Sequence, residues 1–224
     1  MRLRNPGCLV TRNNMASRII KHALKTAIAM LAFAFLGTLM LAYVFIATRP
    51  PIEASEKEAR LALFKQILPA KNYDNDLLSS QVVIQPNALL GNRLPSVANV
   101  ASFQQKPAGV ILEAVAHDGY SGDIKLLIAI RADGSISGVR VLAHKETPGL
   151  GDYIDIAHGN WIKLFNDESL QKTPANRWQV KKDGGQYDYM VGATITPRAV
   201  VKAVLKALQY FEMNKQTLFA QNAQ

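Results

Sequence analysis

Apolar residues form one long uninterrupted run near the start of the chain, and shorter patterned runs follow it. The first run, Thr26–Thr48, contains 23 residues and no charged side chain. As an α-helix it would be about 35 Å long, which is enough to cross the hydrocarbon core of a bilayer. The apolar region of a cleaved signal peptide is usually shorter, about 7–15 residues. The pattern therefore predicts a transmembrane anchor over residues 26–48 rather than a signal peptide.

Helical spacing returns just after this run. Leu61, Phe64 and Leu68 are three and four residues apart and Pro69 follows them, which predicts a short amphipathic helix over residues 54–68. The sequence RPPIEA, residues 49–54, precedes this helix and predicts a turn away from the membrane, because proline disfavours a helix interior.

The remaining pattern alternates between apolar and polar positions, which predicts antiparallel strands. The strand candidates are Gly109–Ala116, Asp123–Ile130, Ile136–Ala143, a further one at 81–84 and a short one at 176–180. Turn sequences separate the main three, and Asp133–Gly134 is a strong hairpin signal. A helical stretch around 157–165 and a final helix from Pro197 to about Asn214 complete an α+β fold, an antiparallel sheet with flanking helices.

Charge and cysteine content restrict the function classes. The net charge is +9, and residues 1–25 contain six basic residues and no acidic one. Basic residues ahead of an apolar span keep that end in the cytoplasm, so residues 51–224 are predicted to be exported to the periplasm. The basic cluster lies outside the folded domain, which disfavours a nucleic-acid partner. Cys8 is the only cysteine, which excludes thiolate-held iron–sulfur centres and covalent c-type haem from the exported domain.

Three glycine-containing stretches are the candidates for ligand binding. They are GYSG at 119–122, KETPGLGD at 145–152 and DYMVGAT at 188–194. Glycine lacks a Cβ and lets backbone come close to a ligand, although each stretch taken alone is also compatible with an ordinary turn. None has the spacing of a dinucleotide-binding or Walker loop, and the four histidines have no metal-ligand spacing, so no metal site is predicted.

The stretch before the final helix carries an additional hydroxyl. Thr196 and Pro197 have the residue types of a helix N-cap and first helical position, and Thr194 precedes them. The N-terminus of a helix favours an anion, and Arg198, Lys181 or Lys182 can add positive charge. Thr194 is thus either a hydroxyl beside a phosphate site or a threonine that only hydrogen-bonds in the lead-in to the helix.

Taken in order, HDGYSG, HKETPGLGD and DYMVGATITPR after a single apolar span resemble one family closely. They are similar to the G subunit of the Rnf-type (Rsx-type) electron-transport complexes, which is related to the C subunit of the sodium-translocating NADH:quinone reductase. In that family a flavin transferase joins the phosphate of FMN to the last threonine of the motif Asp-x-x-Ser/Thr-Gly-Ala-Thr. The resemblance implies that Thr194 is the attachment site, with Asp188, Gly192 and Ala193 in the same motif. Val191 stands where the family usually has serine or threonine.

The resemblance also assigns the other two stretches to the flavin pocket. The implied ring-binding residues are Glu146, Thr147, Pro148, Gly149, Leu150 and Gly151, together with Tyr120, Ser121 and Gly122. No catalytic residue is implied, because such a protein carries electrons between neighbouring proteins of a complex and does not turn over a substrate alone.

The function implied by the resemblance is that of a redox subunit with covalent FMN. It would be anchored in the bacterial inner membrane by one span, with its FMN-binding domain in the periplasm. It would pass electrons between NADH and ferredoxin or a similar acceptor in an ion-translocating complex, with the other membrane subunits as partners and a flavin transferase for maturation. The alternative, from a different class, is a membrane-tethered periplasmic module that serves assembly without redox activity.

Overall fold

The computed structural model describes the backbone of residues 7–220 and the side chains of residues 18–220. Residues 1–6 of the predicted cytoplasmic segment lie outside this range, and so do the side chains of Cys8 and Arg12. The described chain divides near residue 58 into two compact units, one containing most of the first helix and one containing the sheet.

The first helix, α1, runs from Gly7 to Ile67 and includes the long apolar run. From residue 18 onward it is long and apolar enough to cross a membrane, and its apolar window is not buried by the rest of the protein. The predicted turn at RPPIEA is wrong, because the helix continues through Pro50 and Pro51. Proline lacks an N–H donor and its ring crowds the carbonyl four residues earlier, which disfavours a helix interior but does not interrupt α1 here.

Five antiparallel strands form one sheet in which neighbours in sequence are neighbours in space. They are β1 (Gln81–Ile84), β2 (Ser96–Phe103), β3 (Lys106–Ala116), β4 (Ile124–Arg131) and β5 (Ile136–Ala143). The predicted α+β class with an antiparallel meander is confirmed. The positions of β1, β3, β4 and β5 agree with the sequence pattern to within a few residues.

The sequence pattern did not reveal β2, and two features explain why. Asn99 occupies a core position in the middle of this strand, where it donates a hydrogen bond from Nδ2 to the carbonyl of Leu77 at 2.7 Å. The turn into β3 consists of Gln104 and Gln105, both at positive φ (51° and 61°). Hairpin turns of this kind usually contain asparagine or glycine, so the turn lacks its usual signal.

Two predicted elements take a different form in the structure. The short strand at 176–180 is mostly a 3₁₀ turn over Ala175–Arg177, and only Val180 pairs, in a single bridge with Tyr187. The helical stretch near 157–165 is a short 3₁₀ helix over Trp161–Phe165. In both places large aromatic side chains are buried, and their packing determines the backbone path more strongly than local propensity.

The second helix, α2 (Ile195–Ala220), lies against β3 and β4 on one face of the sheet and is longer than predicted at both ends. Its buried face includes Val200, Val204 and Phe211, which belong to the larger of two hydrophobic clusters. The smaller cluster lies on the opposite face of the sheet and includes Phe64 and Ile67 from the end of α1. The start of α2 therefore lies at the edge of a well-packed layer, which fixes the position of the residues that precede it.

Candidate functional site

Thr194, not Thr196, occupies the residue position immediately before α2. The helix begins at Ile195, and the carbonyl of Thr194 accepts a hydrogen bond from the backbone N–H of Arg198 at 3.4 Å. The prediction that Thr196 caps a helix beginning at Pro197 is therefore wrong. The side chain of Thr196 is buried and donates its hydroxyl proton to Glu146 instead of accepting a hydrogen bond from a backbone N–H of the helix.

A cavity of about 170 Å³ opens at this helix start. All three glycine-containing stretches contribute to its lining. The lining residues are Tyr120, Glu146, Thr147, Leu150, Gly151, Gly192, Ala193, Thr194, Ile195 and Thr196. Eight of these were expected from the sequence, and the structure adds Ile195 and Thr196. Thr196 was missed because its hydroxyl was assigned to the helix cap.

Glu146 joins the three stretches at the wall of the cavity. Its side chain is buried, with 5% of its surface exposed. The backbone N–H of Ser121 donates to Oε1 at 3.0 Å, and the Thr196 hydroxyl donates to Oε2. A Cβ on Gly151 would lie 2.9 Å from Glu146 Oε2, and a Cβ on Gly119 would lie 3.1 Å from Oε1. Glycine at position 151 thus makes room for the Glu146 side chain, whereas a Cβ on Gly119 would first meet the carbonyl oxygen of Gly122 at 2.2 Å.

Five of the expected site residues do not line this cavity. They are Asp188, Pro148, Gly149, Ser121 and Gly122. Ser121 acts through its backbone bond to Glu146, as described above. Gly149 has a φ of +76° in a turn and donates its N–H to Asp152 Oδ1 at 2.9 Å, and a Cβ there would meet open space. Its glycine is required by the turn conformation rather than by close approach of backbone to a ligand.

The segment before the cavity is held by an aromatic cluster. The indole N–H of Trp161 donates to the carbonyl of Asp188 at 2.7 Å, and the N–H of Met190 donates to the Tyr153 hydroxyl at 3.3 Å. Burial raises the pKa of Tyr153, so this hydroxyl stays neutral at physiological pH. Trp161 packs edge-on against Phe165, with ring centroids 5.4 Å apart. These contacts fix the path of the chain from Asp188 to Met190.

The basic residues near the helix start are largely engaged in ion pairs. Arg198 forms two short bonds to the carboxylate of Asp183, at 2.5 and 2.6 Å. Lys181 pairs with the carboxylate of Asp188. Because these basic side chains are paired, an anion at this position would be bound chiefly by the free N–H groups and the dipole of α2.

The loop that carries Tyr120 is anchored by His117. Its Nδ1 lies 2.8 Å from Asp123 Oδ1, and its Nε2 lies 2.8 Å from the carbonyl of Gly91. The Asp123 carboxylate, assisted by the Gly91 carbonyl, raises the pKa of His117. Both partners are acceptors, so the protonated ring satisfies both bonds, and the loop is tied to the segment before β2.

The arrangement suits a ligand with an apolar part and an anionic group. Tyr120, Leu150 and Ile195 provide apolar surface, and the N-terminus of α2 provides unpaired N–H groups. Thr194 is half-buried and lines the cavity, and its hydroxyl has no hydrogen-bond partner among residues 18–220.

Comparison with known proteins gives two family matches that together cover most of the chain. An FMN-binding domain matches residues 119–209, and the RnfG N-terminal region matches residues 15–67. The first match contains all three glycine-containing stretches, and the second contains most of α1.

Three similar proteins are each described as the G subunit of an ion-translocating oxidoreductase complex. The protein of Pseudomonas aeruginosa (strain PAO1) is 46% identical over 200 residues, which are 89% of this chain and 94% of that protein. The protein of Shewanella loihica is 43% identical over 198 residues, 88% of this chain and 93% of the relative. The protein of Vibrio atlanticus is 41% identical over 207 residues, 92% and 97% of the two chains.

Proposed function

This chain belongs to the G-subunit family of ion-translocating oxidoreductase complexes, and on that premise we propose that it carries FMN joined through its phosphate to the Thr194 hydroxyl. One observation carries the proposal. The Thr194 hydroxyl is unengaged among residues 18–220 and lines the same cavity as Glu146, Leu150 and Tyr120, at the start of a helix of 26 residues.

The N-terminus of α2 forms the part of the site that binds the phosphate. The first N–H groups of a helix have no partner within the helix, and its dipole favours negative charge there. A phosphoester on Thr194 places that charge at the helix N-terminus permanently. The exposed turn at Val191–Gly192 leaves this segment accessible to a flavin transferase, and the Val191 side chain is 84% exposed. Valine in place of the family's serine or threonine therefore disturbs no packing.

The stretches at 119–122 and 145–152 contribute to the part of the site that binds the flavin ring. Leu150, Tyr120 and Ile195 present apolar surface to a planar ring system, and Gly151 keeps the turn close to Glu146. Bound FMN supplies the ability to accept and pass on electrons one or two at a time. The protein's own contribution is to hold the ring, to adjust its potential by local charge, and to present it to neighbouring subunits.

The role that follows is electron transfer inside a membrane complex. We propose that this protein passes electrons between neighbouring subunits, on a path between NADH and ferredoxin or a similar acceptor. Its partners are the other membrane subunits of the complex and, during maturation, the flavin transferase.

Fluorescence of the denatured protein tests covalent attachment. Full-length protein is produced with and without a flavin transferase, separated on a denaturing gel and illuminated with ultraviolet light. We expect a fluorescent band only when the transferase is present, because denaturation releases any flavin that is not covalently bound. A dark band with an active transferase, shown on a known substrate, would favour the assembly module without redox activity.

We also propose that the domain after α1 lies in the periplasm of a bacterial inner-membrane protein. Six basic residues and no acidic residue occupy positions 1–25, ahead of the span, which favours a cytoplasmic N-terminus. An alkaline phosphatase fused to the C-terminus should be active in cells, and a reporter that functions only in the cytoplasm should be silent there. The reverse pair of results would invert the topology.

A further inference from the structure

The strongest unexplained feature is the burial of the Glu146 carboxylate without a cation. Both of its hydrogen bonds come from neutral donors, the Ser121 N–H and the Thr196 hydroxyl. In the part of the chain whose side chains are described, no lysine, arginine or histidine forms an ion pair with it. A buried carboxylate without an opposite charge is unfavourable, so neutral glutamine would join the three stretches at a smaller cost in free energy.

The surroundings of this carboxylate are shaped to keep it beside the cavity. Gly151 leaves space for its Oε2 atom, since a Cβ on that residue would lie 2.9 Å from this oxygen. Gly151 and Thr196 line the cavity together with Glu146. The fold thus places the Glu146 carboxyl group at the wall of the site, where two hydrogen bonds hold it.

We propose that the Glu146 carboxylate lowers the reduction potential of the flavin held at this site. The inference rests on the proposed function. Reduction adds negative charge to the ring system, and a fixed negative charge nearby opposes that change. The effect is strong in a buried site, because the effective dielectric constant there is well below that of water. Thr196 and Ser121 act as positioning residues, since they hold the carboxylate but carry no charge themselves.

A redox titration of the full-length flavinylated protein tests this proposal. Glu146→Gln removes the charge and keeps the shape. Its amide oxygen can accept from Ser121 N–H and its amide group can donate to the Thr196 oxygen. We expect a more positive reduction potential in this variant. For a one-electron reduction, a tenfold larger equilibrium constant in favour of the reduced flavin corresponds to a reduction potential about 59 mV more positive.

Two controls separate charge from geometry. Thr196→Val breaks the same contact but keeps the carboxylate, so the potential should not become more positive. Glu113→Gln removes a carboxylate that is half-exposed and paired with Arg60, and it should leave the potential unchanged. If Glu146→Gln does not fold, the double variant Glu146→Met/Thr196→Val removes the charge and its hydroxyl partner together, with the same expected shift.

The outcomes distinguish this proposal from the one on which it rests. Each variant is first checked by intact mass for full FMN content. An unchanged or more negative potential in a fully loaded charge-free variant would overturn the role of Glu146, and so would a positive shift of equal size in Thr196→Val. Absence of covalent FMN from the unsubstituted protein would instead contradict the proposed function.

Discussion

Thr194→Ala should yield a folded protein that contains no covalently bound FMN. Alanine has no hydroxyl, so no phosphoester can form at the position before α2. The fold should tolerate the change, because the Thr194 side chain is only half-buried and its hydroxyl has no hydrogen-bond partner among residues 18–220. The loss of stability should stay near the lower end of the range for helix N-caps, about 0.5–2 kcal/mol.

Intact mass of the protein produced with a flavin transferase measures this effect. Thr147→Ala is the matched control, because it removes another threonine hydroxyl that lines the same cavity and should keep the FMN mass. Thr194→Ser keeps a hydroxyl at nearly the same place and should retain part of the modification. Full FMN mass on Thr194→Ala would place the attachment elsewhere.

Phe165→Ala should have the largest effect on stability. Phe165 is fully buried, with ring centroids 5.4 Å from Trp161, 4.8 Å from Tyr187 and 6.3 Å from Trp178. Truncation of such a residue leaves a cavity and costs about 3–5 kcal/mol. Because Trp161 supports the Asp188 carbonyl, the loss should also slow attachment of FMN to the segment that follows.

Urea unfolding of the purified full-length protein in detergent, followed by tryptophan fluorescence, gives the free energy of unfolding. Phe103→Ala is the control, since Phe103 at the end of β2 is 44% exposed. This substitution should lower the free energy of unfolding by less than about 1 kcal/mol. Equal destabilisation by the two substitutions would show that the aromatic cluster does not support the domain in the way described.

The sheet could largely be predicted from the sequence, because period-two alternation is a local signal. β3, β4 and β5 each carry that alternation or a continuous apolar run between turn residues, and they form where the pattern indicated. β2 was not predicted, because the buried Asn99 interrupts the alternation of apolar and polar residues. In addition, the turn from β2 into β3 consists of glutamines at positive φ. The break expected at Pro50 and Pro51 did not occur, since proline disfavours but does not forbid a continuous helix.

The sequence indicated which three stretches to consider, but not how they meet in space. The resemblance led to the three stretches, and eight of the thirteen residues expected from it line one cavity. The hydrogen bond between Thr196 and Glu146 spans 50 positions in the chain, and no local pattern reveals such a contact. The sequence also does not distinguish the roles of Gly149 and Gly151. Gly149 adopts a positive φ in a turn, whereas Gly151 leaves space for the neighbouring Glu146 side chain.

Peptide mapping of the flavinylated protein tests the central claim most directly. Trypsin should release the peptide Asp183–Arg198, which contains both Thr194 and Thr196. We predict that this peptide carries the mass of FMN less one water and that fragmentation assigns the added mass to Thr194. An unmodified peptide, or an assignment to Thr196 or to any other peptide of the protein, would contradict the account.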